Sequence, residues 1–575
     1  MNERENEKFL QEISLDRSEK YQLKTKKEKK GLIKDGKTLY LFEWQEYMVI
    51  GEKAFTVKIG DERLKTEKIN ENTYITTFQF KNYIGKTILE ILENGKRIPL
   101  QFTNFEVLSE KVGRIYKVSP ENTEELIQKH KGLYNVLVRY ISEKSISLPF
   151  SVSAPTAFGV EESEEPMSEL FVYHFLMNNR ERIISAYEEI MKNPHRKLVE
   201  GEEWLNFWEV SEVDEDTVMS IITHPEYLTK AETSSIAVAR YLNNHIPTKV
   251  AQRIKYESFD THENRFAKHF LNELITWGEK AIAAILMSSY LTNEQKENAI
   301  SKLTSVLGEL QYYATSDIFD NVGEMVIFPY TSQVLLKREG YRDLLQLWRE
   351  FRSYSPFFDE MQKAIDNKDI AKLYEYWCFF RLIEELSKII GQNRLIIVVE
   401  AVGELSERGN VYARFENDWR LYYNKRLTPK KWSYSVTLRP DFSLFNGNPD
   451  KQGTRLIGVF DAKFKFDVID KEQKREKFDN EEETAEKDWS YSTWAKVEDI
   501  YKMHTYKDAL NAKFAVALYP GSTSRMFLKN INKEEIKEKA KELEGLPKER
   551  KLLKLMVLGL VEGVGYLKFV PEVRE

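Results

Sequence analysis

The chain has 575 residues, of which 42% are hydrophobic and 31% charged, and its formal net charge is −6. That length exceeds what one core can serve and predicts two to four domains, while the composition excludes a disordered or fibrous protein. One cysteine, Cys378, and eight histidines exclude a disulfide scaffold and leave no zinc-finger spacing, and the acidic balance weighs against a stand-alone DNA binder unless a local groove is basic.

The chain opens on MNERENEKFL, which has no apolar targeting region, and no uninterrupted run of 18 apolar residues follows. A cytoplasmic protein with no membrane span is therefore expected. Lys, Glu, Arg and Asn dominate up to KTKKEKKG, so residues 1–36 read as a charged N-terminal tail, either a solvated helix or a loose segment. From 37 to about 112 the pattern changes to short runs separated by turn residues: TLYLFEW, KAFTVKIG, TYITTFQF and KRIPLQFTNFEVL. These predict a small β domain. IGKT at 84–87 lacks the Gly-rich loop of a GxxxxGK[ST] phosphate cradle and reads as a turn. Any nucleotide hydrolysis must then come from another chain.

Residues 121–142 predict a helix, with Leu126, Leu133, Leu137 and Tyr140 on one side. LPFSVSAPTAFG and the acidic EESEE after it read as a loop or a boundary. Helical patterns dominate 166–240, and PTKVAQRIKYES is strand-like. The segments 262–291 and 293–314 predict an antiparallel helical hairpin, and a third helix follows near Tyr341–Tyr354. The expected division is 37–255 as an N-terminal β plus helical domain, 256–360 as a helical hairpin or connector, and 361–575 as a further domain.

The last ~210 residues alternate helix and strand, an α/β pattern. A helix is predicted over Ile370–Ile390 and strands around VYARFE, WRLYYNKR, SYSVTLRPDFSLF and TRLIGVFDAKFKFD. A charged loop at 474–488, a helix near 495–510 and the strand KFAVALYP complete this core.

Two neighbouring strands carry the chemistry. Side chains alternate across a strand, so Val436, Leu438, Pro440, Phe442 and Leu444 share one face and Asp441 lies on the other with Arg439 and Ser443. In the second strand Asp461 and Lys463 point the same way, ~6.6 Å apart. If the strands pair, Asp441, Asp461 and Lys463 converge. Two close carboxylates resist ionising unless a cation separates them. Hard oxygen ligands select Mg²⁺ or Mn²⁺, and the adjacent ammonium can orient water or stabilise a phosphate, which is the equipment of metal-assisted phosphodiester hydrolysis. The other reading is a turn at Pro-Asp and an ordinary exposed Asp-x-Lys strand face. The order of the motifs and the 19 residues between the two aspartates favour the first.

In KLYEYWCFFRLIEEL, Glu375 shares a helix face with Cys378, Phe379, Leu382 and Leu386. A carboxylate facing a core needs a partner: a metal, a metal ligand that it braces, or a basic side chain. In DIYKMHTYKDAL, helical spacing aligns Val497, Ile500, Tyr501, His504 and Asp508. His504 is a candidate phosphate contact or a packed histidine. Tyr506 and Lys507 are candidate DNA contacts or solvent-facing residues.

LRPD at 438–441, FDAK at 460–463, the helix with Glu375 and the helix with MHTY at 503–506 resemble the PD-(D/E)xK nuclease superfamily. The resemblance implies a central mixed sheet flanked by helices and Mg²⁺-dependent cleavage of DNA. It makes Asp441 and Asp461 metal ligands, Lys463 the catalytic lysine and Glu375 the helix carboxylate of many members. LYEYWC, MHTYKDAL, HENRFAKHFL and SQVLLKREGYRDLLQLW resemble, more narrowly, the McrC-like subunits of McrBC-type restriction systems. That family implies an N-terminal stalk inserted into a hexameric AAA+ GTPase or ATPase partner and a C-terminal nuclease acting on double-stranded DNA. A nuclease gripped onto DNA by a motor need not be basic overall. The expectation is a multidomain α+β protein: a small β domain and helical stalk, then an α/β restriction-endonuclease-like core. It is an endonuclease subunit of an antiphage complex, with nuclease–nuclease dimerisation as a candidate route to double-strand cuts. The alternatives are a self-sufficient nuclease and a non-catalytic DNA-binding scaffold.

Overall fold

The computed structural model describes residues 12–572 except 26–31, 61, 71, 82, 117, 119–121, 149, 154–167, 233–236, 330–331, 353–355, 392–393, 401–409, 465–466, 470–491, 495–496, 522, 532–542 and 544. Residues 1–11, the charged loop expected at 474–488 and most of the boundary expected after 148 lie outside the described residues. Helix and sheet are mixed, and the chain divides into two compact units: 1–178, 283–300 and 352–575 form one, 179–282 and 301–351 the other.

The first unit opens with three small sheets of five, four and four strands, built between Glu12 and Leu108. Leu23, Leu41, Tyr47, Val49, Val57 and Ile91 lie fully or almost fully buried in their common core. The expected β domain forms, but strands begin earlier than expected. Glu12–Ser14 and Tyr21–Thr25 pair with each other, and the latter also pairs with Glu46–Gly51, where a helix or loose tail was expected. Leu15, Tyr21 and Leu23 are buried here. Removing three large apolar side chains from water outweighs the charged residues between them: Arg17, Glu19 and Lys20 stay exposed, and the buried Asp16 carboxylate accepts the Tyr21 N–H at 3.0 Å. IGKT is not a turn either. Gly85–Thr87 is a strand paired with Asn104–Leu108, and Lys86 N–H donates to the Asn367 carbonyl at 2.7 Å.

The expected amphipathic helix runs over Thr123–Ser147, its N-terminus capped by the Asn122 side chain. It packs on the helix Ile370–Ile390. Tyr140 meets Trp377 with ring centres 5.9 Å apart and donates to Glu384 at 2.8 Å.

The rest of this unit centres on a nine-stranded mixed sheet. Its order is Phe150–Ser153, Ile396–Glu400, Val411–Arg414, Arg420–Tyr423, Phe442–Phe445, Leu456–Ala462, Phe514–Tyr519, Val561–Lys568, Arg525–Ile531. The middle strands, LIGVFDA and FAVALY, read as continuous apolar runs because helices cover both faces. Phe442 faces the helix Ile370–Ile390, stacked on Phe379 at 6.0 Å. Val459, on the alternate face, joins Ile500, Met503, Tyr506 and Leu510 of the helix Val497–Ala509 and the residues just after it in a second core. The strand expected over 433–445 is confined to Phe442–Phe445. Pro440 cannot donate to a ladder, and Val436, expected on a strand face, lies 59% exposed in the preceding loop.

In the second unit a ten-residue antiparallel ribbon joins Lys197–Asn206 to Lys249–Ser258. The second arm was expected as strand, whereas the first lies where helix patterns dominate. Pairing overrides propensity there, helped by Gly201, where a Cβ would meet the Tyr256 ring at 2.8 Å. The helices His262–Met287, Asn293–Ala314 and Tyr341–Arg352 form where expected. No helix among the described residues is long and apolar enough to cross a membrane.

Candidate active site

The strand Leu456–Ala462 places Asp461 at the C-terminal end of an otherwise apolar run. Phe442 stands opposite Phe460 and Ser443 opposite Val459; one further antiparallel step sets Asp441 against Asp461. Asp441 Oδ2 accepts the Ala462 N–H at 2.7 Å, and its carbonyl accepts the Asn424 N–H at 2.7 Å. Asp461 is fully buried, and its Oδ2 is 2.6 Å from Lys463 Nζ and 3.1 Å from Lys502 Nζ. Its Oδ1 is buried with no hydrogen-bond partner among the described residues.

The electrostatics follow from this crowding. Although Asp441 keeps some accessible surface, desolvation pushes its carboxyl well above the ordinary carboxylate range. The charges of Asp461 and Glu375 push the same way, and Lys463 and the Ala462 N–H oppose them. Burial disfavours the Lys502 ammonium, but attraction to Asp461 prevails and raises its pKa above the usual lysine value. Burial, then the charges of Asp461 and Asp441, raise the Tyr506 phenol and keep it protonated.

Glu375 lies beside this pair but is already engaged. Its Oε1 accepts from Tyr423 Oη at 2.6 Å, Asn424 Nδ2 at 2.8 Å and Lys372 Nζ at 3.0 Å. Among the described residues no group of three or more His, Cys, Asp or Glu side chains gathers closely enough to hold a metal. The expected three-carboxylate shell is therefore not assembled. Two carboxylates meet, and the third is tied to Asn424, whose N–H in turn holds the Asp441 backbone. The pair still suits a hard cation: Asp461 presents a buried oxygen with no partner among the described residues, and the burial and carboxylate repulsion that raise the Asp441 carboxyl are what a bound cation would offset.

The helix Val497–Ala509 turns another face to the site than the spacing suggested. His504 is exposed and Tyr501 is 67% exposed, whereas Met503, Tyr506 and Lys507 are buried. Of the three candidate DNA contacts, Tyr506 sits against the carboxylates, Lys507 packs inward and His504 faces solvent. The sequence reading missed Lys502. Its signal was the four-residue spacing to Tyr506, which puts both on one helix face; Lys502 Nζ lies 5.1 Å from the Tyr506 ring centre. It also missed Tyr423 and Asn424, which follow from no local pattern.

Residues 75–348 match a family model described as a domain of unknown function, DUF2357. No curated protein matches the chain. Residues 372–524, which include Glu375, Asp441, Asp461, Lys463 and Lys502, match the model of the PD-(D/E)XK nuclease superfamily, and the C-terminal part of this chain therefore carries a domain of that superfamily.

Proposed function

We propose that the chain is a divalent-metal-dependent DNA endonuclease, the McrC-like subunit of a restriction complex whose AAA+ NTPase partner loads it onto double-stranded DNA. The observation that carries the nuclease reading is the convergence of Asp441, Asp461 and Lys463, with Asp461 Oδ1 buried and without a partner among the described residues. The partner rests on the likeness of LYEYWC, MHTYKDAL and HENRFAKHFL to that family and on the missing phosphate cradle, which leaves motor activity to another chain.

Asp441 and Asp461 would hold Mg²⁺ or Mn²⁺. Bound there, the ion supplies Lewis-acid polarisation of the phosphodiester and a more acidic water. Lys463 Nζ stands 2.6 Å from Asp461 Oδ2, where it would orient a water and offset charge on the phosphate. Glu375 acts at one remove, fixing Asn424 and through it the Asp441 backbone.

The test is plasmid cutting by the full chain with its nucleotide-hydrolysing partner. Asp461→Ala and Lys463→Ala are each expected to slow cutting roughly 10²–10⁴-fold while leaving the thermal melt cooperative. Cutting that persists at the native rate in both variants ends the nuclease reading. Cutting by the purified native chain without nucleotide or partner keeps the nuclease and removes the partner.

A further inference from the structure

The hairpin that carries the candidate site continues past it. From Asn424 to Arg439 the chain holds Lys425, Arg426, Lys430, Lys431 and Arg439 and no Asp or Glu, in a protein of net charge −6. The segment is ordered by its own backbone. Leu427 and Leu438 exchange N–H to carbonyl bonds of 2.8 and 3.0 Å, Lys430 N–H reaches the Ser433 carbonyl at 3.1 Å, and Tyr434 N–H reaches the Ala509 carbonyl at 3.2 Å. Leu427 and Ser433 are buried, and Trp432 packs edge-on against Phe445 at 4.8 Å.

This framework turns charge outward. Arg426, Lys430, Lys431 and Arg439 are exposed, and Tyr434 among them is 79% exposed. Lys431 pairs with Asp450 at 2.9 Å, and Arg439 Nε donates to the Asn424 carbonyl at 2.9 Å. Lys425 alone is drawn inward, 4.3 Å from the Tyr422 ring centre. Both ends of the segment are fastened at the carboxylates, Asn424 to Glu375 and Arg439 two residues before Asp441. Six residues at ~3.3 Å each put Lys430 within about 20 Å of Asn424, a length over which one DNA strand carries about six phosphates.

We propose that residues 425–439 form the seat for the phosphate backbone of the nucleic-acid strand that enters the Asp441–Asp461 centre, with Tyr434 offering a ring on which a base or sugar packs. The proposal rests on the nuclease reading above. It supplies a local basic surface in a chain of net acidic charge, and a seat already folded loses little entropy on binding.

Binding is read apart from cutting, on the full chain in EDTA, by fluorescence anisotropy with a labelled duplex. The double variant Arg426→Ala/Lys430→Ala is expected to weaken binding about tenfold or more near 0.1 M salt. It should also shrink the slope of log K against log salt by about 2. If that variant melts below the native chain, Lys430→Glu, changed at one exposed position, is read instead and should lose affinity likewise. Affinity and slope unchanged within twofold overturn the proposal, as does a native chain that binds no duplex at low salt. Asp461→Asn, assayed alongside, separates the two ideas: cutting that survives it removes the nuclease reading while the binding data judge the seat.

Discussion

Asp441 is the residue whose chemistry and stability pull in opposite directions. Its carboxyl is raised in the fold by burial and by Asp461 and Glu375, whereas in the unfolded chain it titrates near 3.9. Above that value the unfolded chain has released a proton that the folded chain still holds. Stability of the metal-free protein therefore falls as pH rises from about 4 through the folded pKa, and is flat beyond it. Asn in this place keeps an acceptor for the Ala462 N–H and never ionises. Asp441→Asn is expected to melt at the same or a higher temperature than the native chain in EDTA at neutral pH, with the gap closing toward pH 4, and to lose cutting. Melts across that range decide it; a variant less stable at every pH contradicts the electrostatic account. The identity of this residue was legible in the sequence, because Pro-Asp before an apolar strand fixes its end of the sheet. Its repulsive setting was not, since Glu375 stands 66 positions away in the chain.

The helix Val497–Ala509 shows what an element reveals of itself and what it hides. Its existence was legible, but its facing was not. Ile500 and Tyr501 are both apolar, so two registers fit; the sheet core takes Ile500, Met503 and Tyr506 and leaves Tyr501 in solvent. That choice brings Lys502 to Asp461 at 3.1 Å. Asp461 is fully buried and shares one oxygen between two ammonium groups. Removing one of them leaves the buried charge undercompensated, at a cost of about 1–3 kcal/mol, and the outer, 42% exposed side chain of Lys502 places the value toward the low end. Lys502→Met should lower the urea midpoint of the metal-free chain accordingly, with the loss disappearing in the Asp461→Asn background. Equal losses in both backgrounds would place the effect in general helix packing. His504→Ala, on the exposed side, should leave the midpoint within about 0.5 kcal/mol. The strands LIGVFDA and FAVALY were plain in the sequence for the opposite reason: burial on both faces leaves no register to choose.

At the scale of the whole chain, the nuclease domain draws on residues far outside its own stretch of sequence. The strand Phe150–Ser153 pairs in parallel with Ile396–Glu400 at one edge of the nine-stranded sheet. A four-residue strand paired across 247 positions leaves no local pattern to read, and neither does the seat of Ile370–Ile390 on Thr123–Ser147. A fragment spanning 361–575 would carry every candidate catalytic residue and still lack these supports. Ile396–Glu400 would become an open edge with unpaired backbone groups on one side, a template for pairing with other chains. Trp377 would lose the Tyr140 ring packed on it, and the hydrogen bond from Tyr140 to Glu384 would go. The backbone bonds from the strand near Gly85 to Asn367 and from Ile370 to Ile84 would go with them. The fragment is accordingly expected to elute as aggregates or higher oligomers on size exclusion and to melt without a cooperative transition. Co-expressing residues 1–178 should restore a soluble species if those contacts suffice. A monomeric 361–575 that melts as sharply as the full chain would mean that the C-terminal core folds by itself, and that the strand and helix from the N-terminal half are additions to a body already complete.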